Sequence, residues 1–127
     1  MADVVLDASA VLARMLDELG CEIVEAVIDG ASVSAVNLTE VVQRLVDLGA
    51  NDTSVAETVR ALSWRIVEFD EGLALQAGLL RRATRSKGLS LGDRACLALG
   101  KRLGLPVYTA DRAWAELDLG VEVVLIR

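Results

Sequence analysis

Short apolar runs of strand-forming residues alternate along this chain with longer segments of helical periodicity. Strands are predicted at residues 4–6, 32–36, 66–68, 107–109 and 121–126. Helices are predicted at about residues 8–19, 22–29, 54–64, 72–85, 91–103 and 112–117, and where the apolar residues from Leu38 to Val46 recur at helical spacing. This alternation is typical of α/β proteins, in which helices cover both faces of a parallel sheet.

The composition fits one domain, residues 1–127, and excludes several kinds of chemistry. No apolar run approaches the roughly 18–20 residues that cross a bilayer, and the charged N-terminus is unlike a signal peptide, so we expect a cytoplasmic protein. The sequence contains no histidine, and its two cysteines lack metal-site spacing. Zinc sites of the Cys/His kind and histidine-dependent triads are therefore excluded. Any catalysis must rest on carboxylates, hydroxyls or a lysine.

Four acidic residues stand at or just before the predicted starts of helices: Asp7, Glu40, Asp93 and Asp111. An acid in that position stabilises a helix by roughly 0.3–1 kcal/mol, so capping alone accounts for each acid taken singly. Asn37 with Glu40, and Ser90 with Asp93, have the spacing of capping boxes. Glu40 is also placed to pair with Arg44 one turn later.

The predicted topology brings these acids towards one another. Right-handed crossovers place the carboxyl ends of parallel strands at one edge of the sheet, where ligands bind. Asp7 and Asp111 follow two strands and Glu40 opens the helix after a third, whereas the direction of the helix at Asp93 stays open. Two carboxylates about 5 Å apart repel by roughly 3 kcal/mol at an effective dielectric near 20. Such a cluster raises a pKa or recruits a cation, and an all-oxygen site favours Mg²⁺ or Mn²⁺.

The charges of the chain are segregated. The formal net charge of −6 disfavours a nucleic acid partner at first sight. Residues 81–102, however, contain seven Lys or Arg residues and a single acid, Asp93. A solvated helix face is the simpler interpretation of this stretch, and a phosphate-binding surface is the alternative.

Three blocks of the sequence match a known family in order and spacing: VVLDASAVLA, SAVNLTEVVQRL and GLSLGDRACLALGKRLGLPVYTADRAW. On these blocks the chain resembles the PIN-domain family, and in particular the VapC-type toxins of prokaryotic toxin–antitoxin pairs. The resemblance implies a three-layer α/β/α fold with a parallel sheet of about five strands. It also implies that Asp7, Glu40, Asp93 and Asp111 are the catalytic and metal-holding acids. Ser9 and Thr109 would be supporting hydroxyls.

The chemistry that this resemblance implies is hydrolysis of RNA phosphodiester bonds, with Mg²⁺ or Mn²⁺ lowering the pKa of a water molecule. Arg94 and Arg112 each stand beside a site acid, and they either hold substrate phosphates or pair with nearby carboxylates. Many members of the family carry another acid soon after the position of Asp111. Arg112 and Ala113 follow here, so a fifth ligand and a second metal ion are left open.

The resemblance further implies a cognate antitoxin, and we expect a homodimer. Some apolar positions of the early helices are candidates for such an interface, although most are expected in the core: Val11, Leu12, Met15, Leu16, Val24 and Val27.

Three other kinds of protein share some of these sequence features. A haloacid-dehalogenase-like hydrolase needs a second Asp two residues after the first, where this chain has Ser9. A two-component receiver needs further acids after the first strand and a Lys in a late loop, which are missing. The rival from another class is a non-catalytic interaction module whose acids only cap helices.

Overall fold

The sheet of this protein has five parallel strands. The computed structural model describes residues 3–127. Its strands are β1 (Val5–Leu6), β2 (Ser32–Ser34), β3 (Arg65–Val67), β4 (Val107–Thr109) and β5 (Val123–Leu125). They lie in the order β3-β2-β1-β4-β5, and each neighbouring pair is parallel. The predicted parallel sheet is thus confirmed, with β1 at its centre.

Helices fill the connections between the strands. They are α1 (Ala8–Met15), α2 (Cys21–Glu25), α3 (Ala35–Asp47), α4 (Asp52–Ala61), α5 (Glu71–Leu79), α6 (Arg81–Thr84) and α7 (Leu91–Leu103). Two 3₁₀ helices lie at Arg85–Lys87 and Arg112–Glu116. Within residues 3–127, no helix has both the length and the apolar character that a bilayer crossing requires.

Two hydrophobic cores lie on opposite faces of the sheet. Leu6 packs in a cluster with residues of α1, α2, α3 and α4, while Val5 packs in another with residues of α5 and α7. Both side chains are fully buried. Because successive side chains of a strand point to opposite faces, this pair shows that helices cover the sheet on both sides. The architecture is therefore the expected three-layer α/β/α fold.

Helices α5 and α7 run antiparallel to each other. The Arg102 guanidinium near the end of α7 donates to both Asp70 carboxylate oxygens, at 2.7 and 3.0 Å, just before α5 begins. At the start of α7, Arg94 Nη1 donates to the Ala77 carbonyl oxygen, at 3.0 Å, in the second half of α5. The connection between the two helices, residues 80–90, therefore lies at the end where α7 begins.

The predicted first helix is too long. α1 ends at Met15 rather than near residue 19, and Asp17 has a φ of 56°. Gly20 follows with a φ of 95°, and a Cβ atom there would overlap the Ile126 carbonyl oxygen. The chain turns at this point because its backbone must pass closely under the C-terminal segment.

Other predicted elements also differ in their bounds: the helix predicted at 22–29 ends at Glu25, the helix predicted at 54–64 spans Asp52–Ala61, and the strand predicted at 121–126 spans only Val123–Leu125. The strand predicted at 32–36 ends at Ser34, whose hydroxyl accepts a hydrogen bond from the Val36 amide (3.2 Å) and caps α3. The helix predicted at 72–85 is divided at Leu80 into α5 and α6, followed by a 3₁₀ turn. The Thr84 hydroxyl donates to the Leu80 carbonyl oxygen at 2.8 Å, a contact that favours bending at that point.

Candidate active site

A pocket of about 320 Å³ collects the four predicted acids. Its lining includes Asp7, Glu40, Asp93 and Asp111, together with Ala8, Ser9, Leu12 and Asn37. Asp7 directly follows β1, Glu40 lies in the second turn of α3, Asp93 lies in the first turn of α7, and Asp111 follows β4. The neighbouring strands β1 and β4 thus bring Asp7 and Asp111, which are more than one hundred residues apart in the sequence, to one site.

Asp7 is the most buried of these acids, with 4% of its surface exposed. It caps α1, and its Oδ1 accepts hydrogen bonds from the Ala10 amide (2.8 Å) and the Ser9 hydroxyl (2.6 Å). Its Oδ2 accepts one from the Thr109 hydroxyl at 2.5 Å. Three donors therefore hold the carboxylate in a single orientation.

The environment of Asp7 differs from that of a purely structural cap. Burial raises the pKa of Asp7 to about 6, the hydrogen bonds from Ser9, Thr109 and Ala10 oppose the rise, and the Asp93 charge adds to it. Asp70 caps α5 in the same way, yet hydrogen bonds from Arg102 and Leu73 lower its pKa to about 2. The surroundings of Asp70 therefore stabilise its ionised form, whereas the surroundings of Asp7 stabilise its protonated form.

Asp93 and Asp111 each use one carboxylate oxygen to cap a helix. Asp93 Oδ2 accepts from the Ser90 amide (2.9 Å), which completes the predicted capping box. Asp111 Oδ1 accepts from the Ala113 amide (3.0 Å). The other oxygen of each carboxylate accepts no hydrogen bond from residues 3–127. Both acids therefore cap helices, and each keeps one carboxylate oxygen available to bind a ligand.

The predicted capping role of Asn37 and Glu40 is wrong. Ser34 caps α3, and Asn37 is a buried residue inside the helix, with 1% of its surface exposed. Asn37 Nδ2 donates to Glu40 Oε1 (2.7 Å) and to the Gly92 carbonyl oxygen (3.1 Å). The predicted pairing of Glu40 with Arg44 is absent from the ion pairs of the described chain. Glu40 instead faces the start of α7.

Gly92 leaves the space that the Glu40 carboxylate occupies. A Cβ atom on Gly92 would overlap that carboxylate, so any other residue there would displace it. Burial raises the pKa of Glu40, Asn37 opposes this, and the Asp93 charge adds to it. Sequence reasoning missed this use of Asn37 and Gly92, because only the tertiary contact between α3 and α7 reveals it.

The two hydroxyl residues lie where the supporting role requires them. Thr109 is fully buried at the end of β4, and its Oγ1 accepts from the Asp111 amide (3.0 Å) while donating to Asp7. Ser9 Oγ accepts from the Ala110 amide at 2.9 Å while donating to Asp7. These contacts fix the Asp7 carboxylate relative to the segment that carries Asp111.

The two predicted arginines have different surroundings. Arg94 is engaged by α5 through the Ala77 carbonyl, and it does not line the acidic pocket. Arg112 is exposed directly after Asp111 and forms no ion pair within residues 3–127. Arg112 does not line the pocket either, but of the two arginines it is the one whose side chain is not engaged by a hydrogen bond or ion pair within the described chain.

The donor atoms of the pocket are those that a hard divalent cation prefers. Within residues 3–127, no group of three or more Asp, Glu, Cys or His side chains is already arranged to hold a metal ion. The chemistry of the pocket nevertheless fits one. Glu40, Asp93 and Asp111 each have a carboxylate oxygen that the described chain leaves without a donor, and the buried Asn37 Oδ1 also lacks a partner. Burial and mutual repulsion raise the pKa of Asp7 and Glu40, a strain that a cation relieves.

Comparisons with known proteins agree with this architecture. A toxin–antitoxin complex from Klebsiella pneumoniae has a TM-score of 0.79 at 19% identity, over 98% of each chain. DNA-bound VapBC from Salmonella typhimurium has a TM-score of 0.75 at 19% identity, over 100% of each chain. VapC20 from Mycobacterium tuberculosis, described as a sarcin–ricin loop cleaving toxin, has a TM-score of 0.73 at 15% identity, over 91% of this chain and 97% of that one. At these identities the likeness shows a shared fold.

The sequence comparisons assign the family. A search of curated proteins finds no significant match. A family model described as the PIN domain matches residues 4–119, which is most of the chain and includes all four acids of the pocket. The chain therefore belongs to the PIN domain family.

Proposed function

We propose that this protein is a ribonuclease that hydrolyses RNA phosphodiester bonds with the help of a divalent metal ion, Mg²⁺ or Mn²⁺. One observation carries the proposal: four carboxylates from separate elements of a PIN domain line one pocket. The similarity to VapC20, described as a toxin that cleaves the sarcin–ricin loop, supports RNA as the substrate.

The residues of the pocket would share the work of holding the ion. Asp7, Glu40, Asp93 and Asp111 would supply its oxygen ligands, and Asp7 keeps its orientation through Ser9 and Thr109. A divalent cation supplies a Lewis acid that lowers the pKa of a coordinated water from about 16 towards neutrality and stabilises charge on the phosphate. No histidine is required for this chemistry, in agreement with the composition.

The chain's own groups also suit an anionic substrate. The N-terminal ends of α1 and α7 both lie at the pocket, and the positive ends of these helix dipoles favour a phosphate. Arg112 would contact the phosphate from the pocket mouth. The water oxygen would attack phosphorus and give up a proton, the bond between phosphorus and the 3′ oxygen would break, and the 3′ oxygen would take up a proton, so that one water is consumed for each bond cut. The products therefore carry a 5′-phosphate and a 3′-hydroxyl.

We also propose that the protein is the toxin of a type II toxin–antitoxin pair, with a cognate antitoxin as partner and a homodimer as its assembly. The complexes from Klebsiella pneumoniae and Salmonella typhimurium support this assignment. The candidate apolar residues divide between two environments. Val11 and Val24 are fully buried in the core, while Leu12, Met15, Leu16 and Val27 are partly buried and remain candidates for a partner surface.

A non-catalytic module is the second candidate, because Asp7, Asp93 and Asp111 do cap helices. Capping explains the hydrogen bonds of these acids. It does not explain why Asp7 is buried with a raised pKa, or why Glu40, which caps no helix, turns into the same pocket. A module of this kind would need no cation, so metal dependence separates the two functions.

Metal removal is the test of the proposed activity. The purified protein, separated from any partner, should cleave a structured RNA in Mg²⁺ or Mn²⁺ and stop when EDTA is added, with activity restored by excess metal. Sequencing the ends of the fragments should show 5′-phosphates. Cleavage that continues in EDTA would contradict the metal-dependent mechanism.

A further inference from the structure

We infer that three exposed arginines beside the acidic pocket bind the phosphate backbone of RNA outside the bond that is cut. Arg81, Arg82 and Arg85 form this arginine surface, on the connection between α5 and α7. The inference rests on the proposed function, since it states how the substrate of that pocket is held.

The three arginines of this surface lack ion-pair partners in the described chain, as does Lys101 near the far end of α7. Three other cations of the stretch 81–102 are engaged: Lys87 pairs with Glu116, Arg102 pairs with Asp70, and Arg94 donates to a backbone carbonyl. Arg81, Arg82 and Arg85 are exposed and form no ion pair within residues 3–127. The structure thus gives these three cations no electrostatic role inside the described chain.

The position of the surface places it next to the acids. The antiparallel arrangement of α5 and α7 puts residues 80–90 at the end where α7 begins, and Asp93 lies in the first turn of α7. Lys87 Nζ lies 3.1 Å from Glu116 Oε2, at the end of the 3₁₀ helix that Asp111 caps. The arginine surface therefore flanks the pocket on the side of Asp93 and Asp111.

The three side chains leave the same side of a helical segment. Thr84 is fully buried, which identifies the face of α6 that packs against the rest of the protein. Residues three or four apart on a helix are neighbours, about 5–6 Å apart at Cβ, and Arg85 stands in this relation to both Arg82 and Arg81. Like charges this close repel each other, and phosphate groups relieve that repulsion through paired N–H donors of the guanidinium.

The negative charge of the whole molecule favours a local cationic surface for a polyanionic substrate. The chain carries a net charge of −6, and four of its carboxylates lie in the pocket that RNA must approach. Long-range repulsion slows the encounter of like-charged partners, and a local cationic surface reverses it. Each phosphate contact also releases counterions, which makes the contribution measurable through its salt dependence.

The experiment measures binding of a short fluorescent single-stranded RNA by anisotropy, in EDTA so that no cleavage occurs, over a range of KCl concentrations. The triple variant R81Q/R82Q/R85Q should bind at least about tenfold more weakly at moderate salt, and the slope of log affinity against log salt should fall in magnitude by roughly 2. A matched variant, R60Q/R65Q/K101Q, removes the same charge at exposed residues that form no ion pair in the described chain. It should bind nearly as the wild type does.

Equal weakening by both triple variants would show that net charge alone matters and would overturn the inference, as would no weakening by either. Circular dichroism of each variant checks that the fold is retained. Because binding is measured without metal, the result does not depend on the proposed hydrolysis. Cleavage in Mg²⁺ with an unchanged KM in R81Q/R82Q/R85Q would refute the arginine surface and leave the ribonuclease intact.

Discussion

Replacing Asp7 by Asn should reduce RNA cleavage at least about a thousandfold, since loss of the bound cation returns the pKa of water to near 16. Asn matches Asp in size and is equally effective as a helix cap, so the chain should remain folded. Single-turnover cleavage rates in Mg²⁺ measure the effect. The same loss is expected for Asp93→Asn and Asp111→Asn, whose carboxylates line the same pocket.

The control for this prediction is Asp118→Asn, an exposed acid outside the pocket, which should cleave at the wild-type rate. Asp7→Asn protein that keeps a tenth or more of the wild-type rate would contradict the assigned role of this residue.

Ser9→Ala and Thr109→Val remove donors to Asp7 and should lower the rate by about 10- to 100-fold, the usual effect of groups that orient a metal ligand.

In the absence of metal, Asp7 should make the protein less stable as the pH rises from 4 to 7.5. Its pKa is about 6 in the folded protein and 3.8 in the unfolded chain, so the folded state binds the proton more tightly. The stabilisation that this proton provides is complete only well below pH 3.8, and it is lost as the pH rises through 6. The full change is about 3 kcal/mol in the free energy of unfolding.

Urea unfolding of the wild type and of Asp7→Asn, both in EDTA, isolates this effect from the other acids. Relative to the wild type, Asp7→Asn should gain about 2 kcal/mol of stability between pH 4 and pH 7.5, because it carries no charge at either pH. A stability difference between Asp7→Asn and the wild type that stays constant with pH would refute the burial of an ionisable Asp7.

Local sequence signals predicted most of the fold and part of the site. The β/α alternation predicted the parallel sheet, because helices and strands differ in the spacing of their apolar residues. The capping pattern at Ser90 and Asp93 predicted the start of α7, and Asp7 and Asp111 cap the helices they were expected to cap. These features depend on residues a few positions apart, which a sequence displays directly.

Features that depend on distant contacts were not predictable in this way. Asn37 has the spacing of a cap, yet it bonds Glu40 and the Gly92 carbonyl, because Ser34 already caps α3. The early end of α1 follows from the close passage of Gly20 under Ile126. Arg94 stands beside a site acid in the sequence, but its side chain donates a hydrogen bond to the backbone of α5. In each case the deciding partner lies in another element of the fold.

The central claim is that the carboxylates of the pocket hold a divalent cation, and calorimetric titration of Mn²⁺ into the metal-free protein tests it most directly. The account predicts saturable binding by the wild type and by Asp118→Asn, and loss of that binding in Asp7→Asn and Asp93→Asn. A wild-type protein that binds no Mn²⁺, or pocket variants that bind it as well as the wild type does, would contradict the claim and favour acids that only cap helices.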